Sequence, residues 1–466
     1  MTPAGFAASV RRIVPLAWPV FVGQLAVLGF STVDTVLVAR HSATDLAALA
    51  VGSAAYVTVF IGLMGVVLAL SPIVGQLFGA RKLAEAGAQL HQAVWLALGL
   101  SLLGSAVLLF PAPFLALSQA SPEVASKVRG YLLALAFSLP ASLLFTAFRG
   151  FNVAVSRPKA VMALQLGGLA LKIPLSATLV VGAPGLGLPA LGVEGCGIAT
   201  LVAMWAQAIA AWILLRRDPF YASFGLRGHG LDRPHGPSLK ALLKLGVPMG
   251  LSILIEVTGF SFMAIFIARL GETPVAGHQI AANLVALLFM MPLGLSNATG
   301  TLVAQRIGAA DLHDARRLGW HGMQLTLLVA LVMGGGVYLA RGAVVRLYTD
   351  NPTVIAAALP LVAWVALFHA ADAVQTVAAF VLRAWRIATV PLVIYAVALW
   401  GVGLGGGFML AFDDGTRFPA AWRGAPGFWI AATAGLAVAA AGLSLFLLFV
   451  YRTKEREAHT AVAATD

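Results

Sequence analysis

The chain has 466 residues, of which 60% are hydrophobic and only 10% are charged. Soluble domains carry about 25% charged residues, so this composition excludes a soluble globular protein and indicates a polytopic helical membrane protein. The net charge of +12 does not indicate a nucleic-acid partner, because the basic residues lie in short loops between apolar segments.

Twelve apolar segments follow one another along the chain, and each is long enough to cross a bilayer as an α-helix. A helix satisfies its backbone hydrogen bonds within the segment, whereas a membrane β-barrel would show weaker alternating segments of about ten residues. The predicted spans are 13–39, 47–73, 88–111, 128–148, 160–182, 194–215, 240–268, 277–303, 318–340, 355–382, 388–411 and 426–451.

The first span contains a single charged residue, Asp34, and is interrupted early by Pro15 and Pro19. An ionisable residue inside a span is costly to bury and marks a functional site by default. We therefore expect Asp34 to take part in ion or proton binding.

Lys172 in the fifth span is the one basic residue deep inside a predicted span, and it lies two residues before Pro174. Near the middle of its segment, the ammonium group is poorly placed to reach an interface by snorkelling. The sequence therefore predicts that Lys172 is the charge partner of Asp34, with snorkelling as the alternative.

A polar stretch rich in proline and glycine separates the first six spans from the last six. The sequence thus predicts an N-terminal lobe over 1–215, a cytoplasmic linker over 216–238 and a C-terminal lobe over 239–466. Because six is an even number, both lobes insert the same way up and form a parallel repeat.

The two halves of the chain resemble each other when the sequence is shifted by 229 residues. Spans that are broken by proline at matching positions of two repeats indicate a transporter binding site. The matches are Pro19 with Pro248, VLVAR at 36–40 with IFIAR at 265–269, and GQLFGA at 75–80 with AQRIGA at 304–309.

The second half carries two acids inside predicted spans, Glu256 in span 7 and Asp372 in span 10. A carboxylate in low dielectric must be protonated, paired or bound to a cation. A proton- or sodium-coupled carrier exploits those states, so both acids are candidates for coupling and for binding Na⁺. Asp45, Glu194 and Glu272 lie at span ends or in loops and are predicted to be solvated surface charges.

A polar stripe surrounds Asp372, because His369, Asp372 and Gln375 are spaced by three and share one helix face. Such a stripe should face the bundle interior or a cavity, where His369 would either join a proton relay or serve helix packing. Isolated polar residues in other spans either line a cavity or hold helices together. The candidates of this kind are Gln24, Gln279 and Asn283.

The distribution of basic residues predicts the orientation of the chain. If the N-terminus is cytoplasmic, 21 of the 30 lysines and arginines lie on the cytoplasmic side and 8 on the outer side, with Lys172 in a span. This bias predicts that both termini are cytoplasmic.

Motifs for catalysis are missing from the sequence. It contains no Walker loop, no HExxH and no GxSxG, so we expect no direct use of ATP, no enzymatic activity and no cofactor. The single cysteine, Cys196, can form neither an internal disulfide nor a cysteine metal cluster.

Five stretches of the sequence resemble the multidrug and toxic compound extrusion (MATE) transporters, and within them the NorM-like branch. The resemblance implies twelve helices in two six-helix lobes that form a V around a central cleft. It also implies export of small organic cations in exchange for sodium ions or protons, by a monomer in the bacterial inner membrane. The stretches are 19–52, 70–82, 191–200, 274–300 and 371–383.

By motif position, Asp34 resembles the acid of the family's first helix, and Glu256 and Asp372 resemble the acids of its C-lobe cation site. Lys172 and Ser176 depart from the family, which typically has asparagine at both positions. A fixed positive charge beside Asp34 would compete with a bound cation, so we expect coupling to fall mainly on the two C-lobe acids.

Two other functions fit the sequence less well. A flippase for lipid-linked precursors should place more arginine and lysine inside its spans to meet an anionic headgroup. An intramembrane lipid-modifying enzyme would need a clustered acid or nucleophile motif. The internal repeat favours a carrier, because alternating access moves one repeat against the other.

Overall fold

The computed structural model describes residues 5–118, 121–183, 185, 187–227, 230–413 and 417–463, and this part of the chain is almost entirely helical. It contains twelve helical segments that are long and apolar enough to cross a membrane. The predicted class, an all-α polytopic protein with twelve spans, is confirmed.

The first half of the chain supplies six spans from eight helices. The helices Ala43–Val67 and Leu70–Gly79 together form one span, and the helix Ala112–Ser118 is too short to cross. A 3-10 turn, Pro219–Phe224, follows the last of them. The helices are α1 (Phe6–His41), α2 (Ala43–Val67), α3 (Leu70–Gly79), α4 (Leu83–Leu109), α5 (Ala112–Ser118), α6 (Pro122–Ala154), α7 (Pro158–Val181) and α8 (Val193–Arg217).

The second half supplies the other six spans. A π-helix, Ala396–Gly405, joins the short α-helices Thr389–Tyr395 and Gly406–Ala411. These three pieces form the eleventh span, Thr389–Ala411. The helices are α9 (Gly236–Ala268), α10 (Glu272–Gly308), α11 (Leu312–Tyr348), α12 (Pro352–Ala384), α13 (Thr389–Tyr395), α14 (Gly406–Ala411) and α15 (Ala425–Ala463).

Capping residues in the sequence set several helix starts. The Ser42 side chain accepts a hydrogen bond from the Asp45 N–H at the start of α2, and Asn351 does the same for the Thr353 N–H at the start of α12. Pro352 occupies the first turn of α12, where the free N–H groups of a helix have no partner within the helix.

The helices form two compact units. The N-terminal unit comprises Pro19–Gly250, and the C-terminal unit comprises Met1–Trp18 together with Leu251–Asp466. The divisions therefore fall inside α1 and α9, and they differ from the predicted lobe boundaries on either side of 216–238.

Contacts of the predicted linker explain why it stays with the N-terminal unit. On α4, the Gln92 Nε2 donates to the Arg233 carbonyl at 3.0 Å, and the Gln92 Oε1 accepts from the His235 N–H at 2.7 Å. The Trp95 Nε1 donates to the Asp232 carbonyl at 2.8 Å. The linker is thus fastened along α4, and the chain leaves this unit only within α9.

One helix lies at the centre of each unit. In the N-terminal unit α6 packs against α2, α4 and α8, and in the C-terminal unit α12 packs against α10, α11 and α15. These helices are the fourth and tenth spans, so they hold equivalent positions in the repeat. Asp372 lies on α12, which places it in the interior of its unit.

Candidate functional site

In the N-terminal unit, the structure brings Asp34 on α1 and Lys172 on α7 together. The Lys172 Nζ lies 2.8 Å from the Asp34 Oδ2. Both residues are buried, with 6% and 1% of their surfaces exposed. The carboxylate therefore has a covalently attached counter-charge at hydrogen-bonding distance.

Neighbouring hydroxyl groups complete the surroundings of this ion pair. The Ser176 Oγ, one turn after Lys172 on α7, donates to the Asp34 Oδ1 at 3.3 Å. The Lys172 Nζ also donates to the Thr200 Oγ1 on α8, and it lies 5.0 Å from the centre of the Phe30 ring. Both carboxylate oxygens and two of the three ammonium donors are thus engaged by the protein itself.

In the C-terminal unit, one side-chain amide joins two acids. The Gln375 Nε2 donates to the Asp372 Oδ1 at 2.8 Å and to the Glu256 Oε1 at 3.1 Å. Asp372 and Gln375 are buried on α12, and Glu256 is half-buried on α9. The two carboxylates therefore lie within two hydrogen-bond lengths of each other, and we call Glu256 and Asp372 the acid pair.

Two further side chains hold Gln375 in place. The Tyr395 hydroxyl, at the end of α13, donates to the Gln375 Oε1. The Thr376 Oγ1 lies 3.0 Å from the Gln375 Nε2, whose two hydrogens are directed to the acids, and donates to the Asp372 carbonyl at 2.7 Å. Tyr395 is followed directly by the π-helix, and such helices often accompany functional sites.

Trp400 in the π-helix supports the backbone next to Glu256. Its Nε1 donates to the Ile255 carbonyl at 3.1 Å, and Gly259, one turn along α9, lies against its ring. A side chain at Gly259 would come within 3.5 Å of the Trp400 ring. The eleventh span therefore contacts both helices that carry the acid pair.

The electrostatic character of the acid pair differs from that of Asp34. Among the described residues, no lysine or arginine lies at ion-pair distance from Glu256 or Asp372, although Arg383 on α12 is near enough to interact electrostatically with Glu256. No group of three or more His, Cys, Asp or Glu side chains suited to a metal is found in that part of the chain either. The oxygens of the acid pair, with the Thr376 hydroxyl beside them, are the candidate ligands for a cation there.

His369 lies one turn before Asp372 on α12 and is fully buried. Neither of its ring nitrogens has a hydrogen-bond partner among the described residues. The polar stripe thus divides into Asp372 and Gln375, which are joined by a hydrogen bond, and His369, which is buried outside that network.

The other cavity-lining candidates are not part of the hydrogen-bond network of the acid pair. Gln279 and Asn283 line a shallow pocket of about 460 Å³ beside Tyr348, whose hydroxyl donates to the Asn283 Oδ1 at 2.8 Å. Gln24 is half-buried on α1. None of the three has a hydrogen bond to an intramembrane acid among the described residues.

The prediction that Asp45 is a solvated surface charge is wrong. Asp45 is 1% exposed, its Oδ1 lies 2.9 Å from the Lys127 Nζ, and its Oδ2 lies 3.6 Å from the His41 Nε2. Its position in the first turn of α2 places it between two helices. Glu272 is exposed, as predicted, and Glu194 is half-buried.

Sequence reasoning missed Tyr395 and Thr200. Tyr395 is the one tyrosine in its predicted span, and a buried tyrosine hydroxyl usually needs a partner, so that signal was present. Thr200 gave no such signal, because its hydroxyl also donates to the Cys196 carbonyl one turn earlier, as threonines in helices commonly do.

Comparison with known families places these features in context. The family model described as MatE matches the chain twice, over residues 19–178 and 248–409. The two matches begin at the two prolines of the internal repeat, which are related by the same 229-residue shift.

Curated relatives match over nearly the full chain. The "Probable multidrug resistance protein NorM" of Aromatoleum aromaticum is 41% identical and covers 95% of this chain and 94% of the relative. The "Multidrug resistance protein PmpM" of Pseudomonas aeruginosa is 34% identical and covers 94% of this chain and 91% of the relative.

Solved structures share the fold. The eukaryotic MATE transporter AtDTX14 has a TM-score of 0.85 at 19% identity, covering 98% of this chain and 99% of that one. The Vibrio cholerae MATE transporter VcmN in the bent form has a TM-score of 0.84 at 19% identity, covering 96% and 98%. These likenesses establish the two-lobe fold.

Proposed function

This chain belongs to the MATE family of multidrug efflux transporters, which are transporters and not enzymes, and we propose that it exports small amphipathic organic cations by cation-coupled antiport. The coupling ion in this proposal is a proton or Na⁺, and the transport cycle is alternating access. The proposed location is the bacterial inner membrane, with both termini cytoplasmic and the protein acting as a monomer.

The acid pair is the observation that carries this proposal. Two carboxylates that share one amide donor repel each other, and no lysine or arginine among the described residues lies at ion-pair distance from either, so binding of a cation or a proton relieves that repulsion. A site of this kind can hold either the coupling ion or the positive charge of a substrate. Mutually exclusive occupation of one site is sufficient to couple two opposite fluxes.

The Asp34–Lys172 pair supports a different assignment for the N-terminal unit. Its carboxylate is already neutralised by an ammonium group, so a mobile cation would have to displace Lys172 to bind. We therefore assign ion coupling to Glu256 and Asp372, and to Asp34 and Lys172 the role of a closed, internally neutral pair.

A flippase for lipid-linked precursors is less well supported by the same residues. An anionic headgroup needs free positive charge in the translocation path, and Lys172 is engaged by Asp34 and Thr200. An acid pair without a fixed cation would repel such a headgroup.

Transport in proteoliposomes tests the proposal. A fluorescent organic cation is followed under a sodium gradient and a pH gradient imposed separately. We expect wild type to respond to one of them and Glu256→Gln and Asp372→Asn to lose the response. Glu272→Gln and Asp350→Asn are matched controls, because both acids are exposed. Normal coupled export by both acid-pair variants would overturn the proposal.

Cysteine labelling tests the proposed orientation. In a Cys196→Ala background, Gly5→Cys and Gly236→Cys place thiols in open space at the N-terminal end of the first span of each lobe. Both should resist a membrane-impermeant reagent in spheroplasts, whereas the exposed Asp350→Cys should react. Labelling of either glycine variant would contradict cytoplasmic termini.

A further inference from the structure

We propose that the amide of Gln375, oriented by Tyr395, makes the acid pair take protons and reject sodium ions. The inference rests on the proposed function, since it assumes that the acid pair binds the coupling ion, and it names that ion. The orientation of the amide affects a metal cation and a proton differently.

The partners of Gln375 determine which way its amide faces. The acids Asp372 and Glu256 lie on its nitrogen side, and an ionised carboxylate can only accept hydrogen bonds. The Tyr395 hydroxyl lies on its oxygen side and donates to it. The two ends of the amide therefore meet chemically matched partners, and Tyr395 is the residue that fixes the orientation.

This orientation is unfavourable for a metal cation. An alkali ion is bound by oxygen lone pairs, as other hard cations are. The N–H groups of Gln375 point at the same carboxylate oxygens that Na⁺ would need, so positive hydrogens occupy the space between Asp372 and Glu256.

Turning the amide over would present its oxygen to a cation, but Tyr395 opposes that rotation. In the new orientation the Tyr395 hydroxyl could only accept from the amide N–H groups, so its own hydrogen would lose its acceptor. Tyr395 and Gln375 are 2% and 0% exposed, so water cannot readily replace the bonds broken during the rotation.

A proton meets no such obstacle. It binds covalently to one carboxylate oxygen, needs no shell of ligands and removes one of two neighbouring like charges. The remaining carboxylate keeps the Gln375 amide as a donor. The other titratable or charged groups near the acids are His369, one turn before Asp372, Tyr395 at the end of α13, and Arg383, which interacts electrostatically with Glu256 and whose guanidinium lies 4.8 Å from the Phe380 ring.

Sodium-dependent thermal stability of the purified protein tests the inference. Melting is measured at pH 8 in sodium chloride and in choline chloride at equal ionic strength. Wild type should show no sodium-specific shift. Tyr395→Phe, which frees the amide, and Gln375→Met, which removes it, should each gain a sodium-specific rise in Tm of about 2 °C or more.

A matched control is available in the same unit. Tyr348→Phe removes the same kind of tyrosine-to-amide hydrogen bond, to Asn283, away from the acid pair. It should gain no sodium-specific shift. Using two site variants keeps the test decisive if one of them fails to fold.

Several outcomes would overturn the inference: a sodium-specific shift in wild type, no shift in a folded site variant, or an equal shift in Tyr348→Phe. The binding measurement does not depend on export, so it can fail while the proposed function stands. Export of organic cations driven by a sodium gradient in wild type would likewise refute the inference and leave the antiporter proposal intact. Absence of export under both gradients would refute the proposed function itself.

Discussion

The two units of this protein surround their intramembrane acids in opposite ways. The N-terminal unit holds one carboxylate against one ammonium group, so its polar centre is neutral when both groups are charged. The C-terminal unit holds two carboxylates against a neutral amide, with Arg383 in electrostatic range of Glu256 but not ion-paired to it, so a bound cation or proton relieves the repulsion between the two acids. Repeats that share one fold can therefore differ in whether the protein itself neutralises a buried carboxylate. The Asp34–Lys172 pair is closed in this sense, because its charges neutralise each other, and the acid pair is open.

The difference follows from the few residues that contact the acids in each unit. Lys172 and Ser176 supply the closed pair with its own partners on α7. Gln375 and Tyr395 supply the open pair with hydrogen bonds but no charge. Only the open site can exchange its counter-ion without breaking a contact within the protein, which is the property that coupled transport requires.

The largest expected effect is on the closed pair. Asp34→Asn or Lys172→Met alone leaves one buried group without its partner, which should lower the free energy of unfolding by about 3–5 kcal/mol. The double variant should recover most of that loss, because no lone charge remains. A double-mutant cycle in thermal stability measures the coupling, and strictly additive losses would show that the pair is not a unit.

The same kind of neutralisation should have a much smaller effect on the open pair. Glu256→Gln removes one of two like charges while its amide oxygen can still accept from Gln375. We expect the free energy of unfolding to change by only about 1 kcal/mol in either direction, since one modest hydrogen bond is weakened and repulsion is relieved. A loss as large as that of Asp34→Asn would erase the proposed contrast between the units.

A surface pair in the N-terminal unit should show the smallest effect. The Arg157 Nη1 lies 2.6 Å from the Asp218 Oδ2, but both side chains are partly exposed. The Phe220 N–H and then Arg157 hold the pKa of Asp218 below its usual value, so its contribution is present at neutral pH and is lost as the pH falls below about 4. Solvent screening limits this contribution to about 0.2–1 kcal/mol.

Comparing the unfolding free energies of wild type and Asp218→Asn at pH 7 and pH 3 measures that contribution. The difference should be small at pH 7 and should shrink at pH 3. The buried and exposed pairs have similar lengths, so a loss at pH 7 comparable with that of Lys172→Met would mean that burial does not distinguish them.

The sequence alone could predict the partnership of Lys172 and Asp34, because two charges inside spans of one lobe have few alternatives. It could also single out Glu256 and Asp372, since buried acids are rare in apolar segments. It could not predict the role of Tyr395, because the distance between α13 and α12 is set by packing in three dimensions.

Two other features were out of reach for a related reason. Asp45 is buried by Lys127 and His41, and a contact between distant segments leaves no trace in local hydropathy. The unit boundaries lie within α1 and α9, where the apolar pattern continues without a break. The lobe boundary was predicted at the polar linker because of its composition, but hydrogen bonds hold this linker to α4 of the N-terminal unit.

We expect the coupling ion to bind at the acid pair, Glu256 and Asp372, and not at the Asp34–Lys172 pair. The most direct measurement is the number of protons released by purified protein in weak buffer when an organic cation binds. The Asp34→Asn, Lys172→Met double variant should release as many protons as wild type, and Asp372→Asn should release fewer. Undiminished release from Asp372→Asn, with release abolished in the folded double variant, would contradict the claim and place coupling in the N-terminal unit.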